Sequence, residues 1–223
     1  MKVLLTGANG QLGQSIFKFK PKSLELMAAD KSIFDLSDFG SFDQFFSINR
    51  PDWIINCGAY TNVDKAEKEK ERAMLINAIS LKELSKVSLK YGAKMLHIST
   101  DYVFNGEQNI AYCPSQTREP INYYGLTKAK GEEYLENCLA HKDKGIILRT
   151  SWLMSSNGNN FATKMKKLIK QKKQLNVVID QISCPTATDS LGKVCWEIIK
   201  NEERIFKLSD TQIPILHFSD CGL

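Results

Sequence analysis

The chain lacks any apolar run close to the ~20 residues that a helix needs to cross a bilayer. Its opening, MKVLLTGANG, turns to glycine before a secretory signal's apolar core is complete. A cytoplasmic protein with no membrane partner is therefore expected. Cys-x-x-Cys pairs are also missing: Cys57, Cys113, Cys138, Cys184, Cys195 and Cys221 lie far apart, and only His97, His141 and His217 could join them around a metal. This pattern argues against a disulfide framework and a zinc site, and no metal is expected. Several of the cysteines sit in apolar runs and read as small core residues. A strong charge imbalance is absent too, the net charge being +5. The densest basic stretch, Lys164, Lys166, Lys167, Lys170, Lys172 and Lys173, interleaves with Phe161, Met165, Leu168 and Ile169 at helical spacing. Its lysines read as the wet face of an amphipathic helix over 160–173. No aromatic residues punctuate that basic face, so no nucleic-acid partner is expected.

What is present is an ordinary globular composition, 43% hydrophobic and 25% charged over 223 residues, enough for one large domain or one domain with an appendage. Short apolar runs, KVLLT at 2–6, LELMAA at 24–29, DWIINC at 52–57, KMLHIS at 94–99 and GIILRT at 145–150, alternate with amphipathic stretches such as Asp64 to Tyr91 and Tyr123 to Ala140. Strands apolar throughout are expected where helices cover both faces of a sheet. The β-α-β order thus predicts an α/β, Rossmann-type, doubly wound parallel sheet over residues 1–151. After Arg149 the alternation loosens into polar loops, a short strand at LNVVI (175–179), a helix near 188–200 and a last strand at ILHFS. Residues 152–223 are expected to supply the remaining sheet elements and a small substrate lobe.

The first strand runs straight into Gly7-Ala8-Asn9-Gly10-Gln11-Leu12-Gly13, a G-x-x-G-x-x-G spacing that opens a helix. Glycines there permit a tight turn and close approach to a pyrophosphate, and the N–H groups of the helix start bind the anion. A tight turn without a ligand remains the bland alternative. Asp30 follows the second strand, where an acidic residue accepts from ribose hydroxyls and favours NAD, while Lys31 beside it suits a 2′-phosphate. NADH and NADPH stay open. In the FDLSD turn, Asp35, followed by Leu36, fits either an adenine contact or a helix cap.

In INYYGLTKAKGE, Tyr124 and Lys128 are four apart and share a helix face, whereas Tyr123 points roughly 100° away. A phenol ionises near pH ~10, and a neighbouring ammonium lowers that value. Tyr124 is then the proton donor and Tyr123 a packing residue or substrate wall. The spacing alone is common. Here it follows a dinucleotide loop, the strand end IINCGAY and the strand end HISTD, at the edge where parallel sheets bind ligands.

These segments resemble extended short-chain dehydrogenase/reductases, and more narrowly the dTDP-4-dehydrorhamnose reductases. The likeness runs through MKVLLTGANGQLG, PDWIINCGAYTNVDKAE, HISTDYVFNG, NYYGLTKAKGE, ILRTSWLMSSNGNNF and VVIDQISCPT, in that order. It implies NADPH or NADH as cofactor, a nucleotide sugar as substrate, and Thr100, Tyr124 and Lys128 as the catalytic set. Thr100 would polarise the carbonyl, and Lys128 would bridge the nicotinamide ribose and Tyr124. Cys57, Gly58, Ala59 and Tyr60 stand where the family places small residues against the cofactor. Asp101 and Trp152 match positions near the sugar, and Tyr102 beside Asp101 is expected to contact the substrate. Asn160 and Phe161 begin the basic helix, whose N-terminus could hold the nucleotide diphosphate of the substrate. Asn160 or Asn159 serves equally well as a plain helix N-cap.

The resemblance further implies helices beyond ILHFSDCG that close the sugar lobe, so an incomplete lobe is expected here. A homodimer is a further expectation. The rival readings are a reductase or epimerase acting on another nucleotide sugar, and a non-catalytic subunit that binds cofactor for regulation.

Overall fold

The computed structural model describes every residue except 141, 157, 159, 172–173, 209–212 and 221–223. Five strands, β1 (Lys2–Thr6), β2 (Glu25–Ala29), β3 (Trp53–Asn56), β4 (Lys94–Thr100) and β5 (Gly145–Thr150), fall on the five predicted apolar runs. With β8 (Ile215–Phe218) they form one six-stranded sheet in the order β2-β1-β3-β4-β5-β8, every neighbouring pair parallel. The short strands β6 (Leu153–Met154) and β7 (Thr186–Ala187) pair separately.

Side chains alternate between the two sheet faces, and each face has its own core. Val3, Leu5, Ile55, Leu96 and Leu148 pack with Leu12 and Ile16 of α1 (Gln11–Lys18) and with Leu191, Cys195 and Trp196 of α8 (Thr188–Lys200). Leu4, Ile54, Met95 and Ile147 face the other way. They meet Phe42 and Phe46 of α2 (Gly40–Asn49), Leu81 and Leu84 of α5 (Ser80–Tyr91), and Leu135 and Leu139 of α6 (Tyr123–Leu139). Burial on both faces is why these strands read as continuous apolar runs.

The predicted helical stretch from Asp64 to Tyr91 is broken into α3 (Val63–Ala66), α4 (Lys70–Met74), a π turn (Leu75–Ile79) and α5. Of the predicted 160–173 helix, α7 (Phe161–Lys170) forms, while Lys172 and Lys173 lie outside the described residues. One expectation is corrected: LNVVI is not a strand. Residues 175–179 have no ladder partner, and Val178 and Ile179 are 64% and 97% exposed. Strand preference works through packing on neighbours, which this segment does not have. A last helix, α9 (Glu202–Lys207), precedes β8. Among the described residues no helix is long and apolar enough to cross a membrane.

From β1 the chain steps outward to β2, then returns to β3 and continues the other way. The loops after β1 and β3 therefore part at the carboxyl edge of the sheet and leave a crevice. The helix that overlooks this crevice, α6, is pinned by an ion pair. Arg149 on β5 donates through Nε to Glu132 Oε1 at 3.0 Å and through Nη2 to Oε2 at 2.7 Å, both side chains being buried. Arg118 donates to the same carboxylate at 3.0 Å and to Glu136 at 2.7 Å. Desolvation raises the Glu132 carboxyl, but the Arg149 hydrogen bonds and charge more than reverse it, so its pKa lies below the ordinary 4.5.

Removing one partner of a buried pair leaves the other charge uncompensated, at a cost of about 3–5 kcal/mol. Glu132→Ala is expected to lower the unfolding free energy in urea by that order. A depressed carboxyl pKa stabilises above its unfolded value and ceases to do so as pH falls through the folded one. The gap between wild type and variant should therefore narrow on acidification below pH 4.5.

Candidate active site

β1 ends at Thr6 and the chain turns at Gly7, whose φ of +65° suits glycine. A Cβ on Gly7 would stand 2.8 Å from the backbone N and Cα of Gly58, and one on Gly13 would strike the backbone of Gly7 and Ala8. Gly10 caps α1 with its backbone alone and supplies no side-chain hydrogen bond. The result is a backbone-lined cradle at a helix N-terminus, the shape and polarity that a pyrophosphate needs. A dinucleotide therefore fits the residues present.

Around this cradle, Asn9 Nδ2 donates to Asp30 Oδ2 at 2.8 Å, which ties the loop to the end of β2. Asp30 Oδ1 accepts from Ser32 N at 2.9 Å and Ser32 Oγ at 2.6 Å, and these bonds hold its carboxyl below the ordinary range. Asp35 accepts from Ser37 N and Ser37 Oγ in a turn and lies 3.5 Å from Lys31 Nζ. Asp35 is not a helix cap, since it closes a turn on Ser37 and α2 begins only at Gly40 with Phe39 as its N-cap; of its two expected roles only the adenine contact is left. Leu36 is buried, and its Cδ1 would lie 2.6 Å from a Cβ on Gly58, so it walls the crevice. After β3, Cys57 is enclosed and burial pushes its thiol well above the usual range. Tyr60 exchanges backbone hydrogen bonds with the Asn77 side chain at 2.8 and 3.0 Å, fixing the 57–60 segment to the π turn. Gln11, at the start of α1, reaches the 155–160 segment: its Oε1 accepts from Ser155 Oγ and Asn160 Nδ2, both at 2.8 Å.

At the end of β4, Thr100 caps a short 3-10 turn (Asp101–Val103): its Oγ1 accepts from Tyr102 N at 3.2 Å and donates to Asp101 Oδ1 at 3.0 Å. Burial raises the Asp101 carboxyl. Ser183 Oγ lies 3.5 Å from the other Asp101 oxygen, a contact from the late loops that sequence reasoning missed. Asn122 caps α6 by accepting from Gly125 N at 2.8 Å, which starts the helix with Tyr123 and Tyr124 in its first turn. A Cβ on Gly125 would strike the Tyr102 carbonyl, so glycine lets α6 sit against the end of β4.

Of the two tyrosines, Tyr124 faces the site. Its ring meets Tyr102 edge-on at 5.7 Å, and the Thr100 side chain lies within hydrogen-bonding reach of its hydroxyl. Tyr123 instead turns to Lys70, whose Nζ lies 5.2 Å from its ring centroid. Desolvation raises the Tyr124 phenol above its ordinary 10, outweighing the Thr100 hydrogen bond that lowers it. The expected lowering by Lys128 is therefore not what this arrangement gives. Lys128, 2% exposed, points its amine at the Ile98 carbonyl at 2.7 Å and at His97 Nε2 at 3.1 Å. Burial drives its pKa down to about 8, against Glu132 and Cys57, which raise it.

On the far wall, Trp152 takes a φ of +36° and stacks on Phe161 with ring centroids 5.5 Å apart and planes at 18°. Both rings are partly exposed, at 38% and 40%. Asn160 is the N-cap of α7 in a complete capping box with Thr163, and its amide also donates to Ser155 O at 2.9 Å. The cap role is thus filled by Asn160, while Asn159 lies outside the described residues.

A helix carrying Tyr124 and Lys128, a hydroxyl at a strand end and a glycine-lined cradle meet on one edge of the sheet. The family described as RmlD substrate binding domain matches residues 1–222. The chain belongs to this family. It is 37% identical over 224 residues to the dTDP-4-dehydrorhamnose reductase of Aggregatibacter actinomycetemcomitans, covering 98% of this chain and 73% of that protein. A crystal structure of the dTDP-4-dehydrorhamnose reductase of Clostridium acetobutylicum superposes with a TM-score of 0.90 at 36% identity, over 100% of this chain and 75% of that one. The Bacillus anthracis reductase, solved in complex with NADP, gives 0.82 at 34% identity, over 98% and 84%. The chain is an α/β Rossmann-type member of this reductase family.

Gly13→Ala forces a Cβ onto the backbone of the first turn. NADPH binding, followed by its fluorescence, should weaken at least about tenfold, the equivalent of ~1.4 kcal/mol, while far-UV circular dichroism stays that of the wild type.

Proposed function

We propose that this chain reduces the C4 ketone of dTDP-4-dehydro-L-rhamnose to dTDP-L-rhamnose with NADPH or NADH, Tyr124 acting as the proton donor. The observation that carries the proposal is the meeting of Thr100 and Tyr124 at the carboxyl end of β4, beside a glycine cradle, in a chain of this family. Gly7, Gly10 and Gly13 would hold the pyrophosphate, Asp30 the adenosine ribose, and the 57–60 segment the far side of the cofactor. When bound, the reduced nicotinamide supplies the hydride, and the chain's own residues do the rest.

Negative charge builds on the ketone oxygen as it is reduced, and groups fixed in advance to meet that charge lower the barrier. Thr100 is held in place by Tyr102 N and Asp101, and its hydroxyl must swing from the Asp101 carboxylate to serve the ketone. Because burial raises the Tyr124 pKa, the phenol carries its proton at neutral pH, the form a general acid needs. The phenolate left behind calls for a nearby cation, and Lys128 on the same helix face is the candidate. The stacked Trp152 and Phe161 offer an apolar wall for the sugar or base.

Residues 1–151 are proposed as the cofactor half. Residues 152–223 add the last strand of the sheet and part of the sugar side, Ser183 and Trp152 among it. A cytoplasmic homodimer acting without a metal is the accompanying proposal. Unchanged turnover after chelation, and sedimentation at twice the chain mass, are the expected results.

The decisive assay is NADPH and NADH consumption with dTDP-4-dehydro-L-rhamnose. Tyr124→Phe should lower kcat by about 10²–10⁴ with cofactor binding intact. Turnover of only another nucleotide sugar, or cofactor binding with no turnover, would replace this reading with one of its rivals. Trp152→Ala should raise KM for the sugar with little change in kcat, since it removes a wall and no reacting group.

A further inference from the structure

Behind Lys128 runs a row of buried polar groups for which the reaction itself has no use. Gly58 N donates to Thr6 Oγ1 at 3.2 Å, Thr6 Oγ1 donates to Asn56 Oδ1 at 2.6 Å, Asn56 Nδ2 meets His97 Nδ1 at 3.1 Å, and His97 Nε2 meets Lys128 Nζ at 3.1 Å. Thr6, Asn56 and His97 stand opposite one another on β1, β3 and β4, at one level of the sheet. Thr6 is fully buried, and Asn56, His97 and Lys128 are each 2% exposed. Among the described residues no carboxylate hydrogen-bonds the lysine; Glu132 bonds Arg149 and Arg118 instead.

Counting hydrogens along the row gives a definite answer. A backbone N–H only donates, so Thr6 Oγ1 accepts from Gly58 and sends its own hydrogen to Asn56 Oδ1. The Asn56 NH₂ then faces the ring and only donates, so His97 Nδ1 must be the bare nitrogen. A neutral imidazole carries one hydrogen, which now sits on Nε2 and points at Lys128. An ammonium has no lone pair to receive it, whereas an uncharged amine does, and that amine still donates to the Ile98 carbonyl. With Lys128 charged, the three bonds between Thr6 and the lysine reverse while Gly58 N still donates: Nζ donates to Nε2, Nδ1–H donates to a turned Asn56 carbonyl oxygen, and the Asn56 NH₂ donates to the second lone pair of Thr6 Oγ1, whose own hydrogen rotates away from Asn56.

We propose that His97 is a positioning residue whose tautomer is locked to the charge of Lys128, with Nδ1–H accompanying the ammonium and Nε2–H the amine. The lysine can then gain or lose a proton without leaving either ring nitrogen of His97 unpaired. The groups bearing on this pair are Cys57 from the turn after β3 and Glu132 from α6, while the His97 ring feels Lys128 alone. Burial, and secondarily the lysine charge, hold the ring well below its ordinary range, so it stays neutral and only its tautomer changes. The proposal rests on the role given above to Lys128 beside Tyr124. The row makes the charge that Tyr124 would rely on pH-dependent.

The test is ¹⁵N NMR of the His97 ring in the full chain, without cofactor or sugar, between pH 6 and 10. The expected result is a tautomer exchange from Nδ1–H to Nε2–H with its midpoint at the Lys128 value of about 8. In Lys128→Met the exchange should vanish. Asn56→Asp presents an acceptor that only Nδ1–H can satisfy, so it should raise the midpoint by at least about tenfold in proton concentration, one pH unit. In the assay it should move the alkaline limb of kcat/KM the same way. A single tautomer throughout in the wild type, or an exchange that survives in Lys128→Met, overturns the proposal whether or not the aspartate variant folds. Absence of turnover on the dTDP sugar would overturn the reductase reading and leave the ring measurement untouched.

Discussion

Two backbones touch at the switch point of the sheet, and the rest of the site is arranged about that contact. Gly7, at the end of β1, lies against Gly58, after β3, so closely that neither a Cβ nor a shifted loop fits between them. This approach is open only because the chain reverses its direction of travel at β1, leaving the two loops to diverge around a crevice. Glycine is needed at position 7 on both counts, for its positive φ and because a Cβ there would strike the Gly58 backbone, whereas a Cβ on Gly58 would meet the Leu36 side chain. The cradle is therefore a property of backbone, and what it presents to an anion is N–H groups at a helix start rather than charged side chains.

The helix that carries Tyr124 and Lys128 is placed by a different kind of interaction. Glu132 and Arg149 cross from α6 to β5 as a buried, doubly bonded pair, and Arg118 ties the same carboxylate to the segment ahead of α6. One helical turn before Glu132 stands Lys128, and one turn before that Tyr124. Pinning the middle of α6 thus sets the height of the phenol above β4, while Gly125 and Gly131 allow the helix to lie close to Tyr102 and Asn77. A charged pair in the interior is a costly anchor, since desolvation opposes it. Its geometry is nevertheless directional in a way that an apolar contact is not, and the site needs that direction.

The sheet strands were legible because both-face burial writes itself into uninterrupted apolar runs, and the Gly-rich loop because its spacing follows from backbone sterics. The choice of Tyr124 over Tyr123 followed from helical periodicity alone, and the structure turns the two rings to opposite neighbours accordingly. LNVVI failed for a reason internal to such reasoning: β-branched residues favour a strand only where a partner strand exists, and none is near. The π turn that interrupts the 64–91 stretch was equally invisible, for the partners Asn77 meets from it, Tyr60 and Thr127, lie far from it in the chain. Lys128 was recognised from its spacing to Tyr124, but its actual partners were not, because His97 and Ile98 lie on a strand some thirty residues earlier.

By itself, then, the sequence determined what is local or periodic: which segments are strands and helices, where the backbone must be free of side chains, and which tyrosine shares a face with the lysine. These follow from sterics and from spacings of 2 and 3.6 residues, which require no knowledge of distant partners. The tertiary structure decided what depends on desolvation and on groups far apart in the chain. It raised the Tyr124 phenol, lowered the Lys128 amine, turned that amine toward His97, and brought Ser183 within reach of Asp101. Ionisation and hydrogen-bond direction are set by the whole surroundings of a group, and those surroundings exist only once the strands have been laid side by side.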